Sequence, residues 1–444
     1  MVKMVYTYKN IWQVAAPILA GLIIQQLIGM TDTVFLGHLG EIELGASALG
    51  SVFYIVLFML GHGFSTGVQI IVARRHGEQN NDKIAEIFYQ SASFLLLTAA
   101  VMVIVTHAFC RPVLAAFITS PKVLEATIDY INPRVWGLFF SFVIVNFRAF
   151  FVGITVTRVL TYNALTMLLT NIVLDYGLIF GHFGMPALGI AGSAYASVAA
   201  EAVSVLFFAA YTFFRIDWRQ FGFQKIRWWN RRLLDEIFSL SFWTTMQSVV
   251  SLATWLFFLA AIEKLGEREL AVSNILRSIS SLTFMIIGAL SATANSLTSN
   301  LIGCRRGREV RPTVRRIVRL AYWLGVPLCL LLLAAYRPIV SVYTDNPQLS
   351  EGIFAPYAMM LSSYLTLVPG MIWLSAISGS GRTKLGMYLE LACLGIYVFA
   401  VWHIVLYMRG SLLWCWSCEH YYNIPLALVT YHYFTRTRRL AVKV

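Results

Sequence analysis

Residues 39–47 read LGEIELGAS, and residues 265–273 read LGERELAVS. Six of the nine positions match at an offset of 226. Without a gap, the same offset pairs Phe58 with Phe284, Met59 with Met285, Ser65 with Ser291 and Gly77 with Gly303. Further on it pairs Gly153 with Gly379, Thr157 with Thr383 and Tyr162 with Tyr388. One half of the chain is therefore a diverged copy of the other, and the fold must be two versions of one unit. The copy is unfaithful at an acidic position, where Asp32 becomes Phe258.

Each half is a train of apolar runs. The expected spans are 11–36, 44–73, 84–109, 126–156, 160–180 and 187–214 in the first half. In the second they are 236–262, 270–302, 313–335, 351–379, 385–408 and 411–434. Several exceed the roughly 20 residues that cross a bilayer, so they tilt or extend beyond it. Only 12% of the residues are charged and the mean hydropathy is +0.70, against about 25% charged in a soluble domain. A water-soluble enzyme is excluded. The first run lacks a small-residue cleavage site and reads as a retained helix. The expected fold is an all-α polytopic membrane protein: twelve transmembrane helices in two six-helix bundles related by a parallel internal repeat. Six spans separate the copies, so both enter the membrane in the same sense and an axis along the membrane normal relates them. The expected division is an N-lobe over 1–214, a cytoplasmic linker over 215–235 and a C-lobe over 236–444.

The net charge of +13 is topology and not a nucleic-acid footprint. With the N-terminus inside, the inner loops and span ends hold 25 of the 34 Lys and Arg residues, and the outer ones hold 7, Arg134 among them. That bias puts both termini in the cytoplasm, and it favours anionic lipid at the inner face. The linker interleaves basic residues with Trp218, Trp228 and Trp229, which reads as an interfacial helix.

An ionisable group inside a span costs roughly 2.5–3.5 kcal/mol on insertion scales and faces a cavity or a partner. Asp32, Asp175, Glu201, Glu390 and Glu419 qualify, three of them in the first half. Asn171 precedes Asp175 by four residues and Ser197 precedes Glu201 by four, so each pair shares a helix face. Polar groups of spans one, five and six should converge inside the first bundle. Two carboxylates close together in a low dielectric cannot both ionise cheaply, so such a pair can carry a proton. Asp32, Asp175, Asn171 and Ser197 are the expected ion-coupling residues. Gln25, Asn146, Glu201, Gln247 and Glu390 are candidate polar liners of a substrate cavity. Glu419 is expected at the outer interface.

His62 reads as a packed histidine, and Gly63 and Gly67 read as a small-residue helix contact. Cys415 and Cys418 form a C-x-x-C beside His420. Among Leu413, Trp414 and Trp416 they read as apolar fillers and not as a metal or redox centre.

These features together resemble the multidrug and toxic compound extrusion (MATE) transporters over nearly the whole chain. The resemblance rests on Pro17 followed by Asp32 and FLGHLG. It rests also on the GHGFSTGVQIIVARRHG block, the SGSGRTK turn after span ten and the 6+6 repeat. Asp32 with the N-x-x-x-D of Asn171 and Asp175 is similar to the DinF-like branch. There these positions form a cation- or proton-sensitive N-lobe site, so the resemblance implies H+ or Na+ at Asp32, Asn171 and Asp175. Ser197 falls where that branch often has threonine, and Glu201 where glutamine is common. The NorM-like glutamate in the middle of span seven has no counterpart here.

The resulting expectation is a secondary active antiporter that exports cationic or amphipathic small molecules in exchange for H+ or Na+, by alternating access. It would have no cofactor and no nucleic-acid partner, and would act as a monomer in the plasma (inner) membrane among its lipids. A lipid-linked sugar flippase of the same superfamily is the alternative. It needs a strongly cationic cavity, and only Arg148 and Arg277 are basic and well inside spans. An integral membrane enzyme is the remote alternative.

Overall fold

The computed structural model describes residues 6–224, 230–343 and 352–436. Trp228, Trp229 and the basic residues Lys3, Lys225, Arg227, Arg438, Arg439 and Lys443 lie outside them. The described residues form fourteen α-helices: α1 (Tyr8–Leu39), α2 (Glu41–Gly77), α3 (Ile84–Ala115), α4 (Pro121–Arg134), α5 (Gly137–Gly153), α6 (Arg158–Phe180), α7 (Ile190–Arg215), α8 (Arg231–Glu263), α9 (Glu267–Gly303), α10 (Val310–Ala334), α11 (Tyr336–Tyr343), α12 (Phe354–Gly379), α13 (Thr383–Val401) and α14 (Leu412–Arg436). Ten of them are individually long and apolar enough to cross a membrane, and α4 with α5 makes one further span bent by 52°. The last, α14, spans 25 residues.

The repeat extends to the helix ends. Both α2 and α9 are 37 residues long, and both of their ends differ by the sequence offset. At about 1.5 Å per residue each is about 55 Å long, well beyond the hydrocarbon core. Left-handed residues recur at the same spacing. Gln79 (φ 60°) and Arg305 (φ 58°) end the turns after α2 and α9, and Thr155 (φ 61°) and Gly381 (φ 89°) follow α5 and α12. The halves differ in the fourth span. Gly153 and Gly379 end α5 and α12 in register, but α12 is continuous where α4 and α5 are broken at residues 135–136.

The chain forms two compact units, Met1–Leu19 with Met246–Val444, and Ala20–Thr245. Both borders fall inside long helices, α1 and α8. In the first unit, Ile11 and Ala15 of α1 are buried with Ile286, Leu290, Leu297 and Ile317. A second cluster of that unit gathers Phe258, Leu276, Tyr357, Val401, Cys415 and Cys418, so the C-x-x-C thiols are core fillers. Among the described residues no group of three or more His, Cys, Asp or Glu is placed to hold a metal.

In the second unit α8 begins against α2. The Oγ of Ser241 donates to the Phe64 carbonyl (2.9 Å) and the Oγ1 of Thr244 donates to the Gly63 carbonyl (2.7 Å). Gly67 permits this approach, because a Cβ there would collide with the Ser241 backbone. The described part of the linker is a set of turns over residues 218–224, not an interfacial helix. Phe221 and Phe223 turn inward, stacking edge-on against Phe150, and Phe223 also meets Phe88. The Phe221 carbonyl accepts from the Ala85 N–H (3.1 Å) and the Phe223 carbonyl from the Tyr89 hydroxyl (3.0 Å). Burial of two rings outweighs the basic residues' preference for a surface helix.

Candidate functional site

The N-terminal carboxylates are placed by three helices of the Ala20–Thr245 unit. Asp32 lies near the end of α1. Asn171 and Asp175 lie one turn apart on α6, and Ser197 and Glu201 one turn apart on α7. Reciprocal bonds hold α6 against α7: Asn163 Nδ2 donates to Ser204 Oγ (2.8 Å), and Ser204 Oγ donates to Asn163 Oδ1 (3.0 Å). Gly192 of α7 meets the Leu178 backbone with no room for a Cβ.

Asn171 and Asp175 are fully buried and Asp32 is half-buried. The Asp32 carboxylate interacts with Asp175 and with Asn171, and feels the charges of Arg134 and Glu201. None of these contacts reaches ordinary hydrogen-bond geometry. Both oxygens of Asp175, both amide atoms of Asn171 and Oδ1 of Asp32 have no hydrogen-bond partner. Buried polar atoms are nearly always paired, and each unpaired one costs about 1–3 kcal/mol. A site with five such atoms from three side chains can take up a proton or a small cation. Ser197 is buried on α7, yet among the described residues it makes no hydrogen bond to either aspartate, in contrast to its expected role.

Beside this pair sits an ion pair with no place in the sequence reading. Arg134 ends α4 at the break in the fourth span. It is inside the unit and not in an outer loop, its side chain 12% exposed and that of Glu201 3%. Its Nη2 and Nη1 donate to Oε1 (2.7 Å) and Oε2 (3.1 Å) of Glu201. The guanidinium lies 3.7 Å from the centre of the Tyr54 ring, a cation–π contact. The Tyr54 hydroxyl reaches Ser141 (2.8 Å) and Glu201 (3.4 Å). Gly137, just past the break, leaves the space the pair fills, since a Cβ there would strike both Arg134 and Glu201.

The repeat supplies an internal control. At the offset of 226, Asp32, Asn171 and Asp175 correspond to Phe258, Tyr397 and Val401. These three are buried in one apolar cluster, with the Phe258 and Tyr397 rings 6.2 Å apart. The same three helix positions meet in both units, polar in one and apolar in the other.

The remaining predicted positions separate. Gln25 is exposed on α1. Asn146 is fully buried and tied into helix packing: it accepts from Ser91 (2.7 Å) and donates to the Phe88 carbonyl (3.1 Å). Gln247 and Glu390 meet each other, with Ser251 and Tyr422, in the other unit. Tyr397 donates to Glu419 (3.1 Å). His62 feels the charge of Arg148, and Arg277 lies 5.5 Å from the Trp255 ring centre.

The description MatE matches residues 17–177 and again residues 244–402, two matches that stand almost at the repeat offset. The chain belongs to the MatE family. This is a family of membrane transporters and not of enzymes. Its MatE relatives include the "Probable multidrug resistance protein NorM" of Synechocystis, 25% identical over 98% of this chain and 95% of that one. Another is the "Multidrug resistance protein NorM" of Burkholderia vietnamiensis, 26% identical over 84% and 82%. The fold matches the outward-facing structure of a multidrug resistance MATE transporter of the MOP superfamily. The TM-score is 0.88 at 18% identity, covering 96% of this chain and 94% of that one. The eukaryotic MATE transporter AtDTX14 gives a TM-score of 0.84 at 17% identity over 97% and 96%. The architecture is thus the all-α, twelve-span MATE fold of an integral membrane protein.

Proposed function

We propose that this MatE chain is a secondary active antiporter that exports cationic or amphipathic small molecules in exchange for protons, by alternating access. In this reading Asp32 and Asp175 are the coupling carboxylates, Asn171 supports them, and sodium is the rival ion. The protein acts as a monomer in the plasma (inner) membrane. Both termini and the linker are cytoplasmic, as the charge bias of the loops requires. Two NorM relatives named for multidrug resistance support efflux. The acidic pair supports a place in the DinF-like branch.

The observation that carries the reading is the meeting of Asp32, Asn171 and Asp175 with their buried polar atoms unpartnered. Two ionised carboxylates side by side repel, so the pair gains a proton when it faces the acidic side. Released on the inner side, that proton moves down its gradient. Each inward charge is worth about 2.3 kcal/mol per 100 mV. A proton needs only a carboxylate, whereas sodium needs several oxygens arranged around it. The counterpart positions Phe258, Tyr397 and Val401 offer no carboxylate, so the repeat does not duplicate this site.

Arg134 does not favour a flippase of anionic lipid-linked sugars, because Glu201 neutralises it in a bidentate pair. An efflux-deficient host expressing the chain should accumulate less ethidium than the empty-vector host. Unchanged accumulation of ethidium and of a panel of other hydrophobic cations, with the protein present in the membrane, would contradict the proposal.

A further inference from the structure

We propose that Glu390 is a second proton-binding site, separate from the N-terminal carboxylates and built from α8, α13 and α14. The Glu390 side chain is buried, at 4% exposure. Gln247 Nε2 donates to its Oε2. Ser251 Oγ (2.6 Å) and the Tyr422 hydroxyl (3.2 Å) reach its Oε1. All three partners are neutral. Among the described residues Glu390 forms no ion pair, unlike Glu201, which has its arginine. A buried carboxylate without a counter-ion is costly to keep charged.

Ser251 gives the site two states. Its single hydroxyl proton faces two acceptors, Glu390 Oε1 at 2.6 Å and the Gln247 carbonyl at 2.8 Å. It cannot serve both at once. With Glu390 ionised, Ser251 donates to the carboxylate. With Glu390 protonated, the new O–H donates to Ser251 Oγ, and the serine hydrogen turns to the Gln247 carbonyl. One proton is bound and the site's charge goes from −1 to 0. No other group changes protonation, and every hydrogen bond keeps a donor and an acceptor.

The neighbourhood holds few other titratable groups. Tyr422 on α14 and Cys393 on α13 lie beside Glu390, and Glu419 acts on Tyr422 while accepting from Tyr397. From α12 the packed residues Met371 and Leu374 are apolar, and α8 contributes the uncharged Gln247 and Ser251. Gln247, Val250, Met387, Glu390 and Leu394 border a crevice too narrow to admit a water molecule. At the repeat offset Glu390 falls on Ala164, so the site is not a displaced copy of Asp32. It does not rest on the role proposed for Asp32.

The test is pH-difference infrared spectroscopy of the purified full-length protein in lipid, from about pH 5 to about pH 9. Glu390→Gln should lose one protonated-carboxyl C=O band that Asp32→Asn retains. Ser251→Ala and Tyr422→Phe keep the carboxyl group, remove one hydrogen bond each from its Oε1 side, and should shift the frequency of that band. These two variants decide the matter if Glu390→Gln fails to fold. A Glu390→Gln spectrum that superimposes on the parent, or a band unmoved in both hydroxyl variants, would overturn the proposal.

Discussion

Asp32→Asn is expected to reduce efflux driven by a pH gradient to the level of protein-free liposomes, with the protein folded and inserted. The amide matches the carboxylate in size and shape, so the packing of α1 is retained. What is lost is the group that gains and loses a proton beside Asp175. The repeat provides the matched control. Phe258 occupies the counterpart position with 1% exposure in an apolar cluster. Phe258→Leu should keep transport at near the parental rate and cost about 1–3 kcal/mol of stability, the range for a lost buried contact. The check is ethidium efflux from proteoliposomes, with the melting temperature followed in detergent. Parental transport by Asp32→Asn under a pH gradient would remove the coupling role from this residue.

Arg134→Met is expected to be the most destabilising single change near the site. It leaves Glu201, 3% exposed, without its cation, and breaking one side of a buried pair costs about 3–5 kcal/mol. Replacing both members should restore most of that loss, because Arg134→Met with Glu201→Gln leaves no isolated charge. The double-mutant cycle is read from unfolding transitions of the four proteins in one detergent. If Arg134→Met melts with the parent, the pair contributes nothing to stability and the bond at 2.7 Å is incidental.

Much of the architecture is legible in the sequence. Repeat offset, apolar runs and charge bias together specify two six-span halves, and the helix ends of α2 and α9 keep the offset to the residue. The pairing of Asn171 with Asp175 followed from four-residue spacing on one helix. Their meeting with Asp32 required only that polar groups in apolar spans find one another. Arg134 was hidden because a cation near the outer end of a span reads as a loop charge. Its burial depends on the break after Arg134 and on a glutamate 67 residues away. The Glu390 site was half visible: Gln247 and Glu390 stood out as polar positions within spans. Ser251 and Tyr422 carry no signal in an apolar helix that distinguishes a site from packing. Asn146 misled for the complementary reason. A mid-span amide looks functional, but Ser91 and the Phe88 carbonyl satisfy it. The linker misled because its basic residues outnumber the two phenylalanines that anchor it.

The central claim is that a proton taken up by Asp32 and Asp175 drives export. It is tested most directly with the parental protein in proteoliposomes loaded with ethidium. A pH gradient is imposed in sodium-free buffer, and the reciprocal sodium gradient is imposed at uniform pH. The account predicts rapid efflux under the pH gradient and none above background under the sodium gradient. No flux under the pH gradient, with flux restored by sodium, would contradict it and make Asp32, Asn171 and Asp175 sodium ligands.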